Sequence, residues 1–278
     1  MGYAGWLITL AAAGLLACGD GRSSKNRTRQ TEQSPAPPPP PQAQEPAAET
    51  VEPGAPGTLA LGAASYFGGA DIDVVDGMAV DVTGALYVAV NTKTPAGAAS
   101  GAVLKMNAAL GAVVWSRTYP AAVKLALAPG GALVVGTSTA ADLPTTPGVL
   151  HPTRNPGTGP AGTGVDIYVA KLSAADGALV WATYVGGSDK DTLTALTVAN
   201  DGAVYLTGMA LAFPVSAGAF QTQSSGWNTP AFVAALSPDG ARMPAATFLS
   251  GAGSGWEVPT AIAVSGAGAV AVAGHTTG

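Results

Sequence analysis

The chain has 278 residues, with 38 Gly, 22 Pro and only 10% charged residues, a composition that excludes a mainly helical protein and suits short strands joined by Gly-rich turns. The net charge of −5 excludes the basic face of a nucleic-acid binder. A single Cys excludes an internal disulfide and a Cys-rich zinc site.

Residues 7–17 (LITLAAAGLLA) form an apolar run that stops at Cys18. A spanning helix needs about 20 apolar residues, so the run has the length of a signal-peptide core and not of a membrane span. Its end, Leu15-Leu16-Ala17-Cys18, resembles the bacterial lipobox, in which a small residue precedes the cut and the following thiol carries a diacylglycerol. Residues 1–6 depart from the usual signal by carrying no Lys or Arg. The expectation is a lipoprotein signal peptide over 1–17, lipidation at Cys18 and a partner that is the membrane itself, held by acyl chains. Gly19 after the Cys leans towards the outer membrane of the cell envelope, with periplasmic and surface display both open.

Residues 18–57 carry no apolar period and include the run Pro37–Pro41. Such sequence extends as polyproline II and buries no core, so it is expected to be a disordered Pro/Ala-rich linker behind the lipid.

From there to residue 278 the sequence repeats. MAVDVTGALYVAV (78–90), LALAPGGALVVG (125–136), LTVANDGAVYLTG (196–208) and IAVSGAGAVAVAG (262–274) each read as two apolar-alternating strands about a Gly turn, with Gly84, Gly131, Gly202 and Gly268 in corresponding places. A second hairpin appears in AVLKMNAALGAVVWSRTY (102–119), IYVAKLSAADGALVWATYVGG (167–187) and FVAALSPDGARMPAATFLSG (232–251). An aromatic recurs at Tyr66, Tyr119, Tyr184 and Phe248. Two hairpins per period make four strands, the content of a β-propeller blade. The fold class expected is therefore all-β, a β-propeller with about three and a half blades at 64–119, 120–187, 188–251 and a partial 252–278. Trp115, Trp181, Tyr119 and Tyr184 are expected to pack between blades, with Pro244 at the tryptophan place of the third.

DGAVYLTG (201–208), DLPTTPGVL (142–150), FPVSAGAF (213–220) and IYVAKLSAADGALVWATYVGG (167–187) together resemble the SBBP β-propeller repeat of exported bacterial proteins. The resemblance covers about 64–278 and is strongest in the middle repeats; the first lacks the Phe-Pro phrase. It implies a propeller and no uniform activity. Either the chain is a piece of a longer array, or SYFGG (65–69) lends an outer strand to the last hairpin; the first reading is preferred.

No catalytic, cofactor-binding or metal site emerges. His151 and His275, the two histidines, fall in different repeats and read as loop residues. Asp71, Asp73 and Asp76, and likewise Asp189 and Asp191, are spaced as carboxylates that could share Ca²⁺, but they lack the rest of a calcium loop and are expected to cap turns. LSAADGALVW (172–181) resembles the tryptophan motif of quinoprotein propellers, which bears on packing alone. The long connections 137–165 and 209–230 are expected either to carry binding or to be plain surface loops. The function expected is a non-enzymatic, lipid-anchored envelope module that binds or scaffolds, with a protein or glycan ligand on the long-loop face and no nucleic acid. An exported propeller enzyme, of hydrolase, lyase or quinoprotein-like type, and an envelope-assembly scaffold are the alternatives.

Overall fold

A computed structural model describes residues 4–10, 72–94, 99–157, 164–223, 229–251 and 256–277. They belong to one unit of the chain, Met1–Ala12 with Ala63–Gly278. Cys18, the linker, SYFGG (65–69) and Asp71 lie outside the described residues. Among those described, no helix is long and apolar enough to cross a membrane.

The strands are β1 (Ala4–Leu10), β2 (Ile72–Val80), β3 (Leu86–Lys93), β4 (Ala99–Met106), β5 (Val113–Tyr119), β6 (Val123–Leu127), β7 (Leu133–Thr139), β8 (Asp166–Leu172), β9 (Leu179–Val185), β10 (Asp191–Val198), β11 (Val204–Ala210), β12 (Ala231–Leu236), β13 (Ala245–Leu249), β14 (Trp256–Val264) and β15 (Val270–Thr277). They form three four-stranded antiparallel sheets, β2-β3-β4-β5, β6-β7-β8-β9 and β10-β11-β12-β13, and a three-stranded one ordered β1-β15-β14. Each four-stranded sheet is thus two consecutive hairpins, as the sequence period demands. The hairpin glycines Gly84, Gly131, Gly202 and Gly268 all take positive φ, between 82° and 88°, a region where a Cβ would be strained.

The fourth sheet was not foreseen in this form. Residues 4–10, with Gly5 opposite His275 and Leu10 opposite Val270, pair along the edge of β15 that lies away from β14. The sequence reading places these residues in a signal peptide; the alternating apolar residues of β15 make its edge a ready template for any extended apolar segment.

The sheets pack in series. β6 lies against β2 and β10, and β14 against β10 and β11. One core joins Tyr87, Ala89 and Val103 of the first sheet to Leu133, Val135, Tyr168 and Leu172 of the second. Another joins Ile167, Val169 and Val185 of the second to Leu206, Phe232, Leu236 and Phe248 of the third. A third joins Val233 and Leu249 to Val270 and Val272. Neighbouring residues on β8 therefore point into different cores: Ile167 and Val169 towards the third sheet, Tyr168 and Ala170 towards the first. A strand buried on both faces has no polar alternation, which is why this one reads as a continuous apolar run.

Tryptophans lock successive sheets. Trp115 Nε1 donates to the Ala174 carbonyl at 3.2 Å, and Trp181 Nε1 to the Pro238 carbonyl at 2.9 Å, each crossing to a turn of the next sheet. Gly177 and Gly240, both at positive φ, stand where a Cβ would press on the Trp115 and Trp181 rings. In the third sheet the position equivalent to Trp181 is Ala245 and not Pro244, because Ala245 pairs with Ala235 as Trp181 pairs with Lys171. The third sheet accordingly offers no such lock to the fourth.

Candidate functional site

The two long connections, 140–165 and 211–230, are neither free loops nor an open rim where the structure describes them. Each runs back along the outer strand of its own sheet and bonds to it. In the second sheet Thr146 N–H donates to Ala182 O and Tyr184 N–H to His151 O. Thr146 Oγ1 accepts from Ala182 N–H, and Thr183 Oγ1 from His151 N–H. The third sheet repeats the arrangement with Ser216 on Ala246 and Gln221 on Phe248 and Thr247. Polar groups on an outer strand would otherwise be a pairing edge, and here the connection covers it.

The Leu-Pro and Phe-Pro phrases anchor these covers. Leu143 packs on the core between the first and second sheets, and its N–H meets the Tyr184 hydroxyl. Tyr168 donates its hydroxyl to Pro144 O at 2.7 Å. Phe213 enters the core between the second and third sheets and stacks on Phe232, with centroids 4.0 Å apart and planes 16° from parallel. Burial holds the phenols of Tyr184 and Tyr168 above their usual range.

A cavity of about 590 Å³ lies where the first strands of all four sheets approach one another. β2 contributes Asp76, β6 Lys124, β10 Thr192 and Thr194, and β14 Pro259 and Thr260. Asp76 is the bulged residue of β2 and accepts from Lys124 Nζ at 2.5 Å and from Asn91 Nδ2 at 3.0 Å. Asn91 also accepts from Val123 N–H at 2.8 Å, so this group ties the first sheet to the second. Leu193, Val258, Ala121 and Ala122 join these, so that the lining is mainly apolar with hydroxyls at Thr137, Thr192, Thr194 and Thr260.

Beside the covers, a cleft of about 390 Å³ is lined by His151, Arg154, Asn155, Asp166 and Gly186. Arg154 Nε bonds Asp142 at 3.2 Å, and Nη1 donates to the Gly164 carbonyl. Burial raises the Asp166 carboxyl, against the Asn155 N–H, which lowers it. Burial pushes Asp191 up to about 7, the Gly187 N–H opposes this, and the carboxylates of Asp166 and Asp189 add to it.

On the far side of the third sheet, Phe220 is 76% exposed and borders a cavity of about 270 Å³ shared with Gln221, Glu257 and Thr276. Glu257 accepts from Gly251 N–H at 3.0 Å as Asp191 accepts from Gly187 N–H at 2.8 Å, so the two acids occupy equivalent places in successive repeats.

Of the residues singled out in the sequence, His151 lies in the second sheet's cover and His275 in β15, on different sheets. Asp73 accepts from Thr92 Oγ1, and Asp189 holds the N–H of Lys190. Asp191 accepts from Gly187 N–H in the preceding turn, but it is fully buried and its own N–H bonds Val165 O, which brings it beside Asp166 across a sheet boundary. Asp166 escaped sequence reasoning because the strand start DIYVAKL gives no hint of its partner 25 positions on. Among the described residues no group of three or more His, Cys, Asp or Glu is placed to hold a metal. No family model matches this chain, and no curated protein matches it.

Proposed function

We propose that the chain is an exported β-propeller module of the SBBP type, tethered to the outer membrane of the cell envelope through a lipid on Cys18, that binds or scaffolds and does not catalyse. The observation that carries this reading is the cavity at which strands β2, β6, β10 and β14 of four successive sheets converge. Convergence of first strands is what a propeller requires, and a rigid array of sheets presents its outer surface to partners.

The partner class proposed is a glycan or protein that meets the Phe220 cavity. An exposed phenyl ring beside the Glu257 carboxylate, with the Gln221 amide held in place by Ser250, offers stacking together with hydrogen bonding, a common composition of ligand sites. Fatty-acid labelling of cells expressing the full chain tests the anchor: the wild type takes up label and partitions with membranes, and Cys18→Ser does neither. Retention of the full chain on purified envelope polysaccharide tests the face: Phe220→Ala is expected to weaken it at least several-fold, and unchanged retention removes that face from consideration.

A further inference from the structure

Asp166 opens β8 and Asp191 opens β10, so they belong to the second and third sheets. Asp191 N–H donates to Val165 O at 2.8 Å, which sets the two acids beside one another where the sheets meet. Asp166 is 2% exposed and Asp191 0%. One oxygen of each is occupied by the main chain: Asn155 N–H donates to Asp166 Oδ2 at 2.7 Å, and Gly187 N–H to Asp191 Oδ2 at 2.8 Å. The second oxygen of each, Oδ1, is buried and meets no hydrogen-bond donor. Gly186 lets the two carboxyls come close, since a Cβ there would stand only 2.8 Å from Asp166 Oδ1 and 2.5 Å from Asp191 Oδ2.

Two neighbouring carboxylates withdrawn from water are costly unless a positive charge or a proton compensates them. Two side-chain bases lie near. Arg154 directs its bonds to Asp142 and to the Asn155 and Gly164 carbonyls, and His151 contributes main-chain bonds to Thr183 and Tyr184. Neither satisfies the free oxygens.

We propose that Asp166 and Asp191 bind a divalent cation, Ca²⁺, that clamps the second sheet to the third at the floor of the cleft lined by His151, Arg154 and Asn155. Ca²⁺ takes about six to eight oxygen ligands in flexible geometry, whereas Mg²⁺ demands a near-ideal octahedron and sheds water reluctantly. Two carboxylates supply part of that shell, and the cleft, bordered by Asp166 and Gly186 with Asp191 behind them, gives ion and waters a path in from the Asp166 side. The inference departs from the sequence reading, which expects no metal, and it holds whatever ligand the Phe220 face takes.

The full chain, stripped with EDTA, is melted with and without millimolar CaCl₂ or MgCl₂, and its bound metal is counted after gel filtration. Ca²⁺ is expected to raise Tm by about 5–10 °C at a hundred-fold excess over Kd, with about one ion per chain and a smaller effect of Mg²⁺. Asp166→Asn and Asp191→Asn should each abolish the response. The wild-type measurement decides alone if a variant fails to fold. A wild type that melts alike in EDTA and in Ca²⁺ overturns the proposal, and a loss of its stability as pH rises from about 4 to 7 shows that a proton compensates the two acids instead.

Discussion

The indole of Trp181 reaches out of the second sheet to the carbonyl of Pro238 in the third, 2.9 Å away, while Gly240 supplies the flat backbone on which its ring rests. The bond and the contact are separable. Trp181→Phe keeps most of the packing and loses the hydrogen bond, for an expected cost of about 1 kcal/mol. Trp181→Ala loses both, at about 3–5 kcal/mol. Urea unfolding of the two variants side by side measures the difference: a Trp181→Phe variant as stable as the wild type would show that the bond contributes nothing, and equal costs would show that the ring contact adds nothing.

The glycines beside the rings differ from those in open turns. Gly131→Ala places a Cβ in free space at φ +85°, so the expected cost is the left-handed strain alone, about 1–2 kcal/mol. Gly240→Ala adds a Cβ 2.6 Å from the Trp181 ring at φ +69°. It should cost clearly more and should shift the fluorescence of that tryptophan, and a Gly131→Ala variant as unstable as Gly240→Ala would refute the ring contact.

Phe213 and Phe220 lie seven residues apart on the same connection and should behave oppositely. Phe213→Ala removes the ring stacked on Phe232 and is expected to cost about 3–5 kcal/mol, with faster proteolysis of 211–223. Phe220→Ala, at an exposed site, should leave Tm within about a degree or two while altering binding.

Asp81 gives a prediction for acid. Its carboxylate accepts from the Thr83 hydroxyl at 2.6 Å, from the N–H groups of Thr83 and Ala85, and from the Tyr87 hydroxyl, with Lys105 at 3.7 Å. The Thr83 hydroxyl leads in lowering it to about 2. A folded value below the unfolded one means that the folded chain releases this proton first. The stabilisation is therefore complete above about pH 4 and is lost as pH falls towards 2. Asp81→Asn should flatten that part of the profile of urea midpoint against pH, and an unchanged slope would place the acid sensitivity elsewhere.

What could be read from the residues, and what could not, divides along the range of the interaction. The hairpins about Gly84, Gly131, Gly202 and Gly268 were legible because turn chemistry and apolar alternation are local. The packing role of Trp115 and Trp181 was legible because the period repeats them. The connections 140–165 and 211–230 were not, since their partners Ala182, Tyr184, Ala246 and Phe248 follow some thirty residues later. In hindsight the hydroxyl pair Thr146 and Ser216, each before a bonded His151 or Gln221, was a repeat signal within stretches that otherwise look like surface loops. The Asp166–Asp191 junction was hidden for the same reason, as was the pairing of β1 with β15, which no local pattern announces.

Burial of the second and third sheets on both faces has a consequence for how the chain comes apart. Each of these sheets is held by two cores, whereas the first sheet leaves Val75, Met78 and Val80 exposed on the side away from Tyr87. A sheet with a core on each face forfeits two interfaces at once when it opens, and a sheet with one core forfeits a single interface. Amide protons of β8 and β12 should therefore exchange only when the whole array dissolves, while those of β2 exchange by local opening of a strand that has one face in water.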